Sequence, residues 1–263
     1  MPELPEIETL SRELKDRIVG KAIADVDCSQ PKMINLTLQD YRQRVHGPIV
    51  GAARRAKSAI LTLEQGNLWL HLGLRGEARY FPSGAQAPTA SITFHLEDRA
   101  RLALIGVFMG HAHFWSPEEH QSRWNQFGID PLEPDFSLHA FRAVLQSKPR
   151  LDVKGLLMEQ TLIAGIGNTY SDEILLAARL HPARTADSLA DEESERLHTF
   201  VVSVLKEAVR LGGESSYVDL DGTHGRYQPS IHGRDRCPVC GGSTQVAKFR
   251  GRTAYFCPQC QAR

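Results

Sequence analysis

Apolar residues recur at helical spacing near the start of the chain. Ile7, Leu10, Leu14 and Ile18 share one face between Pro5 and Gly20. Proline suits a first helical turn and glycine a stop, so the spacing predicts a helix over residues 5–18. The period then shortens. Ser91-Ile92-Thr93-Phe94-His95-Leu96 alternates polar and apolar, as a half-buried strand does. Turn formers separate similar segments at Ala22–Cys28, Ala59–Glu64, Leu68–Leu72, Ala78–Phe81, Ala90–Glu97, Arg101–Val107 and His111–Trp115. Many short strands at this spacing predict a sandwich or barrel to about residue 116. After Ser116 the helical period returns, near 117–126, 136–147, 151–159 and 169–179. The longest helix is expected from Leu189 to Leu211, with Leu197, Val201, Val204, Leu205 and Ala208 as its stripe. Ser188 and Asp191 supply a capping-box start, and Gly212 a stop. Pro117, Pro131 and Pro134 place a hinge at 117–135.

Length and composition narrow the class. The 263 residues, 41% hydrophobic, allow one large domain or two ordinary ones and exclude wholesale disorder. The longest apolar run, Leu102 to Met109, is far too short to span a bilayer. The start, Met1-Pro2-Glu3-Leu4-Pro5-Glu6, is acidic and proline-broken, so a secretory signal is not expected and a cytoplasmic protein is. The 31 basic and 31 acidic residues cancel overall but not locally. From Ile231 onward Arg234, Arg236, Lys248, Arg250, Arg252 and Arg263 stand against Asp235 alone, a net +5 that leaves −5 on residues 1–230. Overall charge therefore says nothing about nucleic acid, whereas the tail does.

That tail also holds Cys237, Cys240, Cys257 and Cys260, two C-x2-C pairs separated by sixteen residues. Two close pairs offer four thiolates to one tetrahedral ion, so one structural zinc is expected. Two disulfides are the weaker alternative for a chain with no secretion signal. Cys28, alone in a strand-like segment, reads as a small core residue.

Other residues carry chemistry individually. A small second residue permits removal of the initiator methionine, which would leave Pro2 with a free secondary amine. Such an amine can attack a sugar carbon and form an iminium, and Glu3 and Glu6 beside it can move protons. A plain helix start is the commoner explanation of this sequence. Lys57 closes Arg54-Arg55-Ala56-Lys57, three cations before a strand that can face phosphates or simply solvent. His71 sits at a strand end beside Gly73, as a core histidine or a phosphate ligand. Ala164-Gly165-Ile166-Gly167-Asn168 lies between two helical segments, where glycines permit a sharp turn and Asn168 can donate to an anion.

Together these features resemble the formamidopyrimidine-DNA glycosylase and endonuclease VIII family of base-excision repair enzymes. The matching residues are Met1-Pro2-Glu3-Leu4-Pro5-Glu6, Lys57, His71-Leu72-Gly73, Gly165-Ile166-Gly167-Asn168-Thr169-Tyr170 and the four-cysteine finger, in family order along nearly the whole chain. The resemblance implies an α+β protein of two domains. Residues 1–116 would form a catalytic β-sandwich with a flanking helix, 117–135 a hinge, 136–230 a helix–two-turn–helix DNA-binding domain and 231–263 the zinc finger. It implies Pro2 as nucleophile, Glu3 as the donor that opens the sugar ring, Glu6 as helper and Lys57 as phosphate contact and proton carrier. His71, Lys154, Asn168 and Arg252 would bind phosphates. The expected activity is removal of damaged bases from double-stranded DNA, or from single strands, with strand nicking by β,δ-elimination. The protein would be a monomer associated with the nucleoid and not with membrane.

One stretch departs from the family. The formamidopyrimidine branch usually carries Asp-Pro-Arg-Arg-Phe-Gly where this chain has Gly106-Val107-Phe108-Met109-Gly110-His111, and position 74 is Leu rather than Met. The arginine that would read an opposite cytosine is missing. Leu74, Phe108 and Met109 are then the residues available to fill the gap left by an extruded base, or else strand-end core. Alternatives to the formamidopyrimidine reading are an endonuclease VIII-like preference for oxidised pyrimidines, single-stranded or bulky lesions, and a non-catalytic damage-binding protein.

Overall fold

The computed structural model describes residues 1–249 and 251–261; Arg250 and Arg263 of the basic tail lie outside them. Its elements run α1 (Leu4–Arg17), β1 (Ala22–Cys28), α2 (Leu38–Val45), β2 (Gly47–Arg55), β3 (Ser58–Leu63), β4 (Gly66–His71), β5 (Glu77–Phe81), β6 (Ile92–Leu96), β7 (Arg101–Ile105) and β8 (His111–Trp115). Then follow α3 (Pro117–Trp124), α4 (Leu138–Ser147), α5 (Val153–Met158), α6 (Asn168–Ala177), α7 (Asp191–Arg210), β9 (Gln245–Phe249) and β10 (Arg252–Phe256). The chain divides into one unit of Met1–Gln126 with Leu211–Arg226, and a second of Phe127–Arg210 with Tyr227–Arg263. This differs from the sequence boundaries. The hinge region splits at 126/127, after α3, and sixteen residues following α7 return to the first unit.

In the first unit the strands follow the order β5-β7-β6-β1-β2-β3-β4-β8. β1 and β2 share only the register pairs Ala22↔Pro48 and Ile23↔Gly47, so the sheet folds there into two antiparallel halves. One core joins them: Val26, Phe94 and Leu102 from one half, Leu61, Leu70 and Phe114 from the other, and Leu10 and Leu14 from α1. The expected sandwich with its flanking helix is therefore present. Both sheet edges are covered, as an open edge would invite pairing with another chain. Along β8 the Asn35 side chain donates to Phe114 O at 2.8 Å and accepts from Phe114 N–H at 2.9 Å. Along β5, Tyr80 N–H donates to Leu220 O of the returning segment at 2.9 Å. Cys28 lies half-buried at the margin of this core.

In the second unit α6 is the central helix. Most of it is buried, including the charged pair Asp172 and Glu173. Lys154 of α5 and Asp172 are each 1% exposed and paired at 2.6 Å. The other Asp172 oxygen bonds His232 Nδ1 at 2.7 Å and accepts from Tyr255 N–H at 3.2 Å. Glu173 accepts from the backbone N–H groups of Ser230, Ile231 and His232 and from the Ser230 hydroxyl, at 2.6–2.9 Å. Buried carboxylates survive only when paired and hydrogen-bonded, as these are. They hold the chain leading into the finger, whose Cys237 and Cys257 pack on Leu176 and Ile231. The start of α7 differs from expectation. Ser188 belongs to a preceding 3-10 turn, where its hydroxyl donates to Thr185 O at 2.7 Å and accepts from Arg184 at 2.9 Å. With Ser188 occupied, Glu193 reaches back to Ala190 N–H at 2.9 Å instead. Among the described residues no helix is long and apolar enough to cross a membrane.

Candidate active site and nucleic-acid interface

The N-terminus of α1 is built on two buried acids. Glu3 and Glu6 are 5% and 3% exposed. Glu6 Oε2 accepts from Glu3 N–H at 2.7 Å, closing a capping box, and Oε1 accepts from Glu214 N–H of the returning segment at 2.9 Å. Gly213 has φ +89°, and a Cβ there would stand 2.9 Å from Glu6 Cγ, so only glycine lets the segment ride over Glu6. Lower on α1, Glu13 accepts from Leu220 N–H at 3.1 Å and Arg17 pairs with Asp221 at 2.6 Å. Burial, with Asp219 and Asp221 nearby, pushes the Glu13 carboxyl up to about 6. Between helix and segment lies a cavity of about 530 Å³, lined among others by Pro2, Glu6, Leu74, Glu77, Glu214 and Tyr217. That volume accommodates a small planar ligand. The buried Tyr217 hydroxyl has no partner, and burial holds its pKa well above the usual phenol value.

Lys57 and His71 belong to the same neighbourhood. Lys57 lies half-buried in the turn between β2 and β3, following Ala56 at φ +51°. The His71 pKa is lowered first by burial and then by the charges of Lys57 and the chain's amino terminus. Three residues distant in sequence thus share one electrostatic environment. The other two cations of that run are turned inward. Arg54 is paired with Glu8 at 2.9 Å, and Arg55 donates to Trp124 O at 3.2 Å. Arg54 and Arg55 are thus engaged by the protein itself, against the expectation that all three cations of this run face phosphates.

Two loops meet beside the cavity. Leu74 N–H donates to Phe108 O at 2.9 Å, and a Cβ on Gly73 would stand 2.0 Å from that oxygen. Leu74, Phe108 and Met109 are 43%, 63% and 75% exposed, which removes the alternative of strand-end core.

The second unit carries the other expected residues. Asn168 begins α6 behind Gly167, and its Oδ1 is buried and unpartnered there. Lys154 is not an outward cation. Its ammonium lies within the domain on Asp172, Ser171 and Asn168 O, because a buried lysine must be paired. It braces the start of α6 instead. Arg252 is exposed at the tip of the β9–β10 hairpin. The four cysteine sulfurs lie within 4.8 Å of one another, with Cys237–Cys260 at 3.8 Å and Cys240–Cys257 at 3.5 Å. A tetrahedral zinc–thiolate centre has sulfur–sulfur edges of about 3.8 Å, so the set fits a structural zinc.

Family models match the chain in three segments. Residues 1–107 match the formamidopyrimidine-DNA glycosylase N-terminal domain, 127–219 its H2TH domain, and 234–263 a zinc finger found in FPG and IleRS. Formamidopyrimidine-DNA glycosylases of Streptococcus pneumoniae R6 and Heliobacterium modesticaldum are 34% and 38% identical, covering 99–100% of this chain and all of theirs. The chain belongs to the formamidopyrimidine-DNA glycosylase family. Solved structures agree. Lactococcus lactis Fpg bound to abasic-site DNA superposes with TM-score 0.90 at 30% identity, over 99% of this chain and 100% of that one. The same enzyme with oxidised-pyrimidine DNA gives 0.89 at 31%, over 100% of both chains. The family is one of DNA glycosylases of base excision repair, and its two-domain fold with a finger is the fold described above. Sequence reasoning had missed Glu77, Glu214 and Tyr217. Gly212-Gly213 marks the end of α7, but no local spacing reveals that the chain then returns to this site.

Proposed function

We propose that this glycosylase is bifunctional and works through Pro2. With Met1 removed, the Pro2 nitrogen attacks C1′ of the damaged nucleotide and the base departs with a proton. Glu3 protonates the ring oxygen, the sugar opens, and a Pro2–C1′ iminium remains. The iminium acidifies the C2′ proton; its loss expels the 3′ phosphate, and a second elimination expels the 5′ phosphate. Water then hydrolyses the iminium and restores the proline. Glu6 holds the backbone of this start. Lys57, His71, Asn168 and Arg252 grip the phosphates of damaged double-stranded DNA, and one zinc holds the hairpin that carries Arg252. The protein acts as a monomer on nucleoid DNA.

The observation that carries this reading is the place of Pro2. It lines a cavity large enough for a base, with Glu6 on the same wall, and the amino terminus shares its electrostatic environment with Lys57 and His71. Borohydride reduction during turnover tests it. The protein should become covalently attached to lesion-containing DNA, and intact mass should show loss of Met1. Full activity from protein that retains Met1 would sink the assignment, because an acylated proline nitrogen has no available lone pair. A trapping panel of oxidised purines, oxidised pyrimidines and single strands identifies the preferred lesion.

A further inference from the structure

One face of β4 and β8 carries a column of rings that begins at His71 and continues through residues to which the reaction above gives no part. His71 is in register with His111, and their rings stack at 5.2 Å and 7°. His111 stacks on His113 at 4.1 Å and 27°, and His113 meets the edge of Trp115 at 5.5 Å. The Arg123 guanidinium of α3 closes the column 3.5 Å above the Trp115 ring. Ala112 and Phe114 alternate into the core, so the pleat sets the direction of the column. His71 Nδ1 accepts from Gly73 N–H at 3.2 Å. That bond needs an unprotonated Nδ1, so the neutral ring carries its proton on Nε2.

We propose that His111 is a positioning residue for His71: its stacked ring holds the plane of His71 so that Nε2–H is presented to a phosphate oxygen of the bound strand, and His113 holds His111 in turn. The proposal rests on the reading of His71 as a phosphate ligand. Charged and titratable groups facing the column are Lys57 from the β2–β3 turn, the amino terminus, His113 and Arg123. All are cations or become cations; burial first, and then His113, His71 and Arg123, take the His111 pKa down to about 3. His111 is therefore neutral at working pH and acts through its ring face rather than through charge. A phenyl ring should serve in its place.

The test uses the full-length protein with His111→Ala, His111→Phe and His71→Ala. Two quantities are read: the NMR titration of the His71 imidazole without DNA, and the Kd for a duplex containing a tetrahydrofuran abasic analogue. His111→Ala should raise the His71 midpoint toward the ordinary histidine value and weaken binding about tenfold, one hydrogen bond's worth. His111→Phe should keep the midpoint low and Kd within about threefold. An unmoved midpoint in His111→Ala, or equal losses in the two variants, overturns the positioning role. Should His111→Ala fail to fold, His113→Ala must move the midpoint in the same direction, and an unmoved midpoint there overturns it equally. Unchanged binding by His71→Ala instead overturns the reading of His71 itself, and the proposal with it.

Discussion

In the first unit the cavity stands on an apolar core; Glu3 and Glu6 are buried at the start of α1, while Lys57, Leu74 and Phe108 lie at the margin of that core. In the second, the turn before α6 and the finger stand on charges inside the core. Leu10, Leu14 and Leu70 would hold the sandwich whatever occupied positions 57, 74 or 108. The second unit has no such separation. Lys154, Asp172 and Glu173 are fully desolvated, and their bonds reach Asn168 O, Ser230–His232 and Tyr255. A site at the margin of an apolar core can change without unfolding its support. A support built from buried charge cannot lose one member without leaving the other unpaired.

The largest effect is therefore expected at Asp172. Asp172→Ala leaves the Lys154 ammonium buried without its carboxylate and frees His232 and Tyr255. Removing one partner of a buried pair costs about 3–5 kcal/mol. Denaturant unfolding should show that loss, with reduced retention of zinc, while the first unit keeps its sheet signal. A loss below about 1 kcal/mol would erase the contrast between the units, since it would make the pair dispensable.

Glu13 sharpens the comparison from the other side. It is a first-unit acid that ties the returning segment, yet it is only partly buried. Its folded pKa of about 6 lies above the ordinary 4.5. A raised pKa means that the folded protein binds the proton more tightly. Its stabilising contribution is complete below about 4.5 and is lost as pH rises through about 6. Glu13→Gln keeps an acceptor for Leu220 N–H and removes the ionisation. The variant should gain on the parent across that window, by less than about 1 kcal/mol given the solvent screening. A stability difference that does not change with pH would contradict the assigned cause.

The same division explains what the sequence made legible. Helices and strands with one apolar face were visible, because burial on an apolar core imposes a period: α1, β6 and α7 follow theirs closely. β2, in Gly47–Arg55, was not visible. Its glycines and alanines give no alternation, and its start is where the sheet folds over. α2 was missed because only Tyr41 and Val45 of its eight residues are buried. Pro2, Glu3 and Lys57 could be picked out as unusual chemistry at named positions. The Asp172–Lys154 pair could not, since a buried charge reads like any solvated one until its partner is known. The returning segment is a tertiary fact, held by single bonds to Glu6 and Glu13 that leave no pattern in the chain.

The smallest effect on stability is expected at Phe108, where the comparison meets function. Phe108 is 63% exposed on a loop that the core does not need, so Phe108→Ala should change stability by no more than about 0.5 kcal/mol. Its effect should appear in rate. An extruded base leaves a hole in the stack, and an apolar side chain fills it at lower cost than an empty gap. Phe108→Ala should therefore slow excision from duplex DNA more than cleavage of a preformed abasic site, where less unstacking is needed. Phe108, Met109 and Leu74 offer no side-chain hydrogen-bond donor to the base opposite the lesion. A hydrophobic filler distinguishes bases only by size and stacking, so excision rates should vary less than about tenfold across the four opposite bases, whereas one bidentate contact is worth about 1–3 kcal/mol. A strong preference for cytosine over adenine would require a donor from elsewhere in the protein. Equal losses on duplex lesion and abasic site would mean that Phe108 holds the loop itself rather than the gap.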